Sequence, residues 1–338
     1  THLFTVMHAV QLTALNACDV SSVSKPVPKS GEVLIALKAA ALNHRDLWIK
    51  KGQYAGIKYP CIPGSDGAGV VVEVADHVDS SWIGKDVIIN PAFSWGDKTS
   101  AQSDQFTILG LPRFGTLAEF ICVPVSQLEV KPPSMTWEEA AALPLAGLTA
   151  WRALTTRAQL KVTDKVLISG IGGGVAVFAL QFAVAMGASV WVTSSSQAKI
   201  NQAVKLGAKG GFLYTKKGWA EDAVKELGGF DVIIDSAGGD GLNDLIDAAA
   251  SGARIAFYGA TRGNPTSVTL RKIFWRQLSL LGTTMGSPAD WKALIRFVDE
   301  KSIKPVVSQV FLLSNALQAF DLMEQGGQFG KIVLKISE

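Results

Sequence analysis

The sequence predicts an α/β chain in two domains, one β-rich and barrel-like, the other a doubly wound parallel sheet of six strands. Three observations lead there. At 338 residues the chain is too long for one typical core. Short strands broken by Gly and Pro fill its first part, whereas strands and helices alternate farther on. Within that second part, the apolar run Val166–Ser169 enters a glycine turn, Gly170-Ile-Gly-Gly-Gly174, and continues directly into the apolar run Val175–Ala183. A helix start can offer its N–H groups to a pyrophosphate only where the chain comes close, and glycines remove the side chains that would prevent it.

In chain order, the first strands are His8–Leu12, Glu32–Leu37, Gly67–Val74, Asp86–Ile89 and Ala118–Val123, separated by regular turn signals. From Ser134 the period becomes helical, with Ser134 a reasonable N-cap and Glu138 and Glu139 in the first turn. The six strands of the parallel sheet are Val166–Ser169, Ser189–Thr193, Gly211–Tyr214, Asp231–Asp235, Arg254–Tyr258 and Leu278–Gly282. A helix over Asp290–Lys301 and a closing strand over Lys331–Ile336 follow. The glycine turn misses the strict G-x-G-x-x-G spacing, because Val175 falls where the third glycine would stand. Its best frame is Ile171-x-Gly173-x-x-Ala176. A strand about twenty residues on supports the Rossmann reading by context.

The bulk numbers exclude several classes. A hydrophobic share of 48% and a charged share of 18% describe an ordinary globular protein, and a net charge of +3 gives no dedicated nucleic-acid surface. There is no stretch of about eighteen apolar residues and no basic region leading into an apolar run, so the expectation is a soluble cytoplasmic protein without membrane partners. Cys18, Cys61 and Cys122 are odd in number and far apart, which fits buried thiols in a reducing compartment. None of His2, His8, His44 and His77 stands three or four residues from another His or a Cys.

Four separated motifs carry a resemblance over nearly the whole chain. Ala41–Gly52 together with Tyr59–Val71, then Leu143–Leu154, the glycine turn, and Gly330–Leu334 resemble the medium-chain dehydrogenase/reductase superfamily in content and order. The resemblance implies a GroES-like catalytic domain built from both chain ends, residues 1–126 and 287–338, and a Rossmann domain over residues 127–286. Many members hold a catalytic zinc with Cys, His and a further Cys or Asp. At those positions this sequence has Asn43, Ser65 and Leu145, and the segment Pro91–Phe114, where some members carry a four-cysteine site, has no cysteine. Amide, hydroxyl and alkyl groups are not the N and S donors that zinc prefers, so the expectation is no metal. Without a Lewis acid the resemblance narrows to the zinc-free quinone oxidoreductase-like and enone reductase branch. A quinone or enone delocalises the charge that hydride addition creates.

NADPH is the cofactor expected. NAD-specific folds end the second strand in Asp or Glu, whereas this strand ends Thr193-Ser-Ser-Ser196 with Lys199 following, groups that can donate to a 2′-phosphate. The same residues could instead make a turn, a helix cap and a solvated lysine. Gly172, Gly173, Gly174 and Val175 are expected at the pyrophosphate. By resemblance, Tyr214 stands beside the 2′-phosphate, Asn43 and Thr149 at the nicotinamide, and Lys331 near the pyrophosphate. Gly259, Ala260, Thr283 and Thr284 are expected to allow close backbone approach. Lys331 could equally be a snorkelling lysine at a strand edge. Tyr54 is the leading proton donor beside Asn43, with core packing as its alternative. His44, Arg45 and Asp46 could shape the pocket or form a structural ion network.

The function expected is NADPH-dependent hydride transfer to a quinone or an α,β-unsaturated carbonyl. The alternatives are a zinc-type alcohol dehydrogenase and a non-enzymatic NADPH-binding structural or regulatory protein. A homodimer or homotetramer is expected by resemblance, pairing through the strand Leu278–Gly282.

Overall fold

The computed structural model describes residues 5–337. The chain divides into two compact units, one formed by residues up to Ala146 and from Ser287 onward, the other by Gly147–Gly286. The second junction falls where the sequence puts it. The first does not: residues 127–146, expected in the Rossmann domain, belong to the first unit. Strand Leu128–Val130 pairs with Asp86–Ile89, and helix Trp137–Ala142 packs on strands of the first unit's main sheet.

The strands of the first unit, in order, are β1 (Val6–Ala14), β2 (Ala17–Ser24), β3 (Glu32–Ala41), β4 (Asp66–Val74), β5 (Asp86–Ile89), β6 (Ala92–Phe93), β7 (Thr107–Ile108), β8 (Phe120–Pro124) and β9 (Leu128–Val130). Helix α1 (His44–Lys50) sits between β3 and β4, and α2 (Trp137–Ala142) and α3 (Pro144–Arg152) follow β9. The division between the units falls inside α3. The true N-cap of α2 is Thr136 rather than Ser134, because its hydroxyl accepts from Glu139 N while the Glu139 carboxylate accepts from Thr136 N. That reciprocal capping box outcompetes a lone serine two residues upstream.

The second unit contains β10 (Lys165–Ile168), α4 (Gly174–Ala185), β11 (Ser189–Ser194), α5 (Gln197–Lys205), β12 (Gly210–Leu213), α6 (Trp219–Leu227), β13 (Phe230–Asp235), α7 (Gly241–Ala248), β14 (Ala249–Phe257), α8 (Leu270–Trp275) and β15 (Ser279–Gly282). All six strands are parallel, in the order β12-β11-β10-β13-β14-β15. That is the doubly wound sheet the sequence predicts, with its order reversing beside β10. The central strands β10 and β13 are apolar and almost wholly buried, as a sheet covered on both faces requires. Phe230 is fully buried in a cluster that includes Trp219, Leu245, Ile246 and Ile255, and replacing such a phenylalanine by Ala costs about 3–5 kcal/mol.

The chain then returns to the first unit through α9 (Pro288–Glu300), β16 (Val307–Leu312), α10 (Ala316–Gln325) and β17 (Lys331–Lys335). Its seven-stranded sheet runs β16-β17-β3-β4-β5-β9, with β8 also on β3. The closing strand β17 therefore lies between β16 and β3, which brings the two ends of the chain together in one unit. Strands β2 and β16 go unpredicted, since each is largely exposed and lacks an apolar alternation. Among the described residues no helix is long and apolar enough to cross a membrane.

Candidate active site

In the first unit, β3 ends at Ala41 and the chain turns through Asn43 into α1. Asn43 N donates to Asp46 Oδ2 at 2.8 Å, which fixes the turn. Asp46 is fully buried and also accepts from Gly64 N at 3.0 Å, tying this turn to the one before β4. Burial raises its carboxyl above the usual range despite the neighbouring Arg45 guanidinium and these two amide donors.

Asp66, the first residue of β4, is fully buried and satisfied on both oxygens. Oδ1 accepts from Leu145 N at 2.8 Å, and Oδ2 from Asn43 Nδ2 at 2.9 Å and Lys331 Nζ at 3.0 Å. Lys331 Nζ also donates to Asn43 Oδ1 at 2.6 Å. The alternative reading of Lys331 as a snorkelling edge lysine is thereby corrected: the residue is 3% exposed, on a strand with neighbours on both sides. The carboxamide of Asn43 uses its oxygen on the ammonium and one amide proton on the carboxylate. One Nδ2 proton remains.

Arg45 is buried beside this network. Its Nη1 donates to Ser65 Oγ at 2.9 Å and Leu109 O at 2.7 Å, and its guanidinium lies 5.0 Å from the centroid of the Tyr54 ring. Arg45 Nε is 3.5 Å from the Tyr54 hydroxyl. Tyr54 itself is half-buried against Leu12, Ile49, Cys61 and Leu111, so both readings of this residue keep a basis. The three thiols are free. Only Cys61 is fully buried, while burial pushes Cys18 up to about 11 and Cys122 up to about 12, protonated near neutral pH.

In the second unit, the turn after β10 is pinned by Gly170 N to Thr193 Oγ1 at 3.0 Å and Ile171 N to Thr193 O at 2.8 Å. Gly170 and Gly172 have φ of +61° and +137°, conformations that favour glycine. Gly173 is the N-cap of the twelve-residue α4, whose first N–H groups have no partner within the helix. A Cβ on Gly170 or Gly173 would meet nothing within 4 Å, whereas one on Gly172 would stand 3.0 Å from Lys199 Nζ. The lysine ammonium thus lies at the glycine turn.

At the end of β11, Ser194 is buried and its Oγ accepts from Ser196 N, while Ser196 caps α5 through Lys199 N at 3.4 Å. Ser195 is exposed. Tyr214 N donates to Ser194 O at 3.1 Å, so β12 ends against the same place. The carboxylate of Asp235 holds Ala237 N and Gly238 N and bonds the Ser169 hydroxyl. Gly259 and Ala260 pack over that turn: a Cβ on Gly259 would stand 3.0 Å from Ser236 O. The Thr149 hydroxyl rests on Met285 Sδ at 3.8 Å, adjoining Thr283 and Thr284 in sequence. Thr283 Oγ1 is buried without a hydrogen-bond partner.

The structure therefore gathers the expected residues into two groups, Asn43, Tyr54 and Lys331 in the first unit, and the glycine turn, the serines, Lys199 and Tyr214 in the second. Sequence reasoning missed Asp66, for which an acid between glycines at the mouth of an apolar strand was the available signal.

Two family descriptions match the chain, "Alcohol dehydrogenase GroES-like domain" over residues 29–133 and "Zinc-binding dehydrogenase" over residues 174–300. The chain is 37% identical to a zinc-type alcohol dehydrogenase-like protein of Leptosphaeria maculans over 336 residues, covering 93% of each. It is 28% identical to a quinone oxidoreductase of Mus musculus, covering 93% of this chain and 92% of that one. Among solved structures, a crystal structure titled as an NAD-dependent alcohol dehydrogenase superposes with a TM-score of 0.93 at 37% identity, covering 98% of this chain and all of the other.

The names of these relatives imply a dinucleotide and a zinc. A dinucleotide fits, since the open space over Gly170 and Gly173, the free helix start, the Lys199 ammonium and the orphaned Thr283 hydroxyl are what a phosphate-bearing ligand would occupy. Zinc does not fit. The two nearby carboxylates are both engaged, Asp66 by the Lys331 ammonium and Asp46 by two backbone N–H groups; among the described residues no group of three or more His, Cys, Asp or Glu could hold a metal. Matching domains in the right order, a doubly wound sheet behind a glycine turn and full-length relatives at 37% identity make the chain a member of the medium-chain dehydrogenase/reductase superfamily of oxidoreductases.

Proposed function

We propose that this oxidoreductase transfers a hydride from NADPH to a quinone or another α,β-unsaturated carbonyl, with no metal in the step. The observation that carries the reading is the buried Lys331–Asp66–Asn43 network, in which the carboxylate is already paired with an ammonium and an amide and so is not free to ligate a cation. Bound NADPH would supply the hydride. The first amides of α4 bind the pyrophosphate, the Lys199 ammonium beside the glycine turn reaches toward the 2′-phosphate, and Thr149 and Thr283 offer hydroxyls to the nicotinamide carboxamide.

Hydride delivery to a conjugated carbon moves an electron pair onto the acceptor's oxygen. Asn43 presents its remaining amide proton to that charge. Because Lys331 holds the carbonyl end of the same amide, the N–H is polarised toward donation. Tyr54 lines the acceptor with its hydroxyl, and either it or water gives the proton. A simple carbonyl or alcohol, lacking conjugation, would need the several kcal/mol that a Lewis acid provides.

Following NADPH absorbance with a panel of quinones, enones and simple alcohols tests the reading. Turnover is expected with the conjugated acceptors and should be insensitive to chelators, with NADPH bound at least about tenfold tighter than NADH. Alcohol oxidation that stops on chelation and returns with zinc would overturn it.

The same reading includes a second copy of the chain along the edge strand β15, next to α8, where Leu270, Phe274 and Trp275 are 70%, 65% and 78% exposed. Light scattering should give at least a dimer, and Trp275→Glu should shift it toward monomer. A wild type that is monomeric at micromolar concentration would remove this part.

A further inference from the structure

We propose that Arg262 is the residue that recognises the cofactor's 2′-phosphate, working across the ring of Tyr214. The inference rests on the NADPH reading above and adds to it a residue that the serine turn and Lys199 do not supply.

Arg262 leaves the sheet after β14, yet its guanidinium lies 5.1 Å from the centroid of Tyr214, the residue just after β12. Its Nη2 is 3.4 Å from the Tyr214 hydroxyl. Strands β11, β10 and β13 separate β14 from β12 in the sheet, so the side chain's contact joins the two outer parts of the carboxyl edge. The backbone beneath it is firmly held. Arg262 N donates to Ala237 O at 2.8 Å, Gly263 N to Ala260 O at 2.9 Å and Gly239 N to Gly263 O at 2.7 Å, while Asp235 anchors the turn below.

The side chain above this base is exposed. Of the five guanidinium N–H donors, the contact with Tyr214 uses one, and among the described residues no carboxylate pairs with Arg262. A rigidly mounted, unneutralised arginine resting on an aromatic face is suited to a phosphate, which its fork can bind with two parallel N–H groups.

What that phosphate belongs to follows from the neighbours. Tyr214 N is bonded to Ser194 O, at the end of β11, where a dinucleotide's adenosine ribose is held in this fold class. There is no acid at that strand end to take the ribose hydroxyls, and Ser194 Oγ is engaged by Ser196 N. Lys199 reaches the glycine turn on one side, within 3.0 Å of where a Cβ of Gly172 would stand. Arg262 comes in through Tyr214 on the β12 side. The end of β11 thus has a cation on each side, and a ribose carrying a 2′-phosphate matches them where an unsubstituted ribose does not.

Titration calorimetry with 2′,5′-ADP and 5′-AMP separates the phosphate from the rest of the adenosine. The wild type is expected to prefer 2′,5′-ADP. Arg262→Gln should lower 2′,5′-ADP affinity about tenfold or more while leaving 5′-AMP within about twofold, and Arg262→Lys should recover part of the loss. Thermal midpoints of both variants should match the wild type, since the side chain is exposed. A wild type without preference between the two nucleotides would sink the NADPH reading and this assignment together. A wild type that prefers 2′,5′-ADP with an Arg262→Gln variant that keeps the preference, or one that loses both nucleotides equally, would overturn the assignment alone.

Discussion

The glycine turn of the second unit and the Asn43 turn of the first are both strand-to-helix junctions, but they handle polar groups in opposite ways. Around Asn43 every charge is answered from within: Lys331 by Asp66 and Asn43, Asp66 by three donors, and Asp46 by two backbone N–H groups. At the glycine turn the space over Gly170 and Gly173 is empty, and the first amides of α4 have no partner within the helix. The charges of one junction are settled within the protein, with one Asn43 Nδ2 proton left over, whereas the other is a surface open to something that carries negative charge. Removing a charge from the first should be read in stability, filling the space of the second in binding.

The largest expected effect tests the closed side. Lys331→Met leaves Asp66 buried without its cation and should cost about 3–5 kcal/mol in denaturant unfolding. Adding Asp66→Asn removes both charges and should restore a large part of the loss. A single variant as stable as the wild type would show that the network is not held by this pair.

On the open side, Gly173→Val adds a side chain where nothing stands within 4 Å, at an ordinary extended φ of −70°. Unfolding stability should stay within about 0.5 kcal/mol of wild type, as for surface changes, while NADPH affinity falls at least about tenfold because the backbone can no longer approach the phosphates. Loss of stability without loss of binding would reverse the comparison.

Tyr54→Phe sharpens the comparison at its border, because Tyr54 touches the closed network through Arg45 yet carries a free donor. Turnover should fall about ten- to a hundredfold with NADPH affinity unchanged, and water taking the hydroxyl's place would put the value at the lower end. Wild-type rates would return Tyr54 to a packing role.

The alternation of strands and helices, the glycine turn and the missing acid after β11 were legible in the sequence because each is a local pattern. Parallel strands announce themselves by continuous apolar runs, and a turn of glycines by composition. The serine-rich end of β11 was only half legible. Ser196 does cap α5 and Ser194 does brace the turn, as their simpler reading held, and the same strand end is joined by Tyr214, whose hydroxyl meets Arg262.

Local pattern by itself determined that this chain would build a dinucleotide-type sheet, and the resemblance implied that Asn43, Ser65 and Leu145 stand at ligand positions of the zinc-holding members. Only the tertiary structure decided what surrounds Asn43. Lys331 lies 288 residues from Asn43 in the chain, and it meets Asn43 and Asp66 because β17 inserts beside β3, a pairing that no window of sequence contains. Arg262 meets Tyr214 for the same kind of reason, since strand order in the sheet, and not distance along the chain, sets which loops share an edge. Both meetings depend on contacts between distant segments, and for Lys331 and Asp66 burial then fixes the strength of the pair by excluding the water that would otherwise screen it.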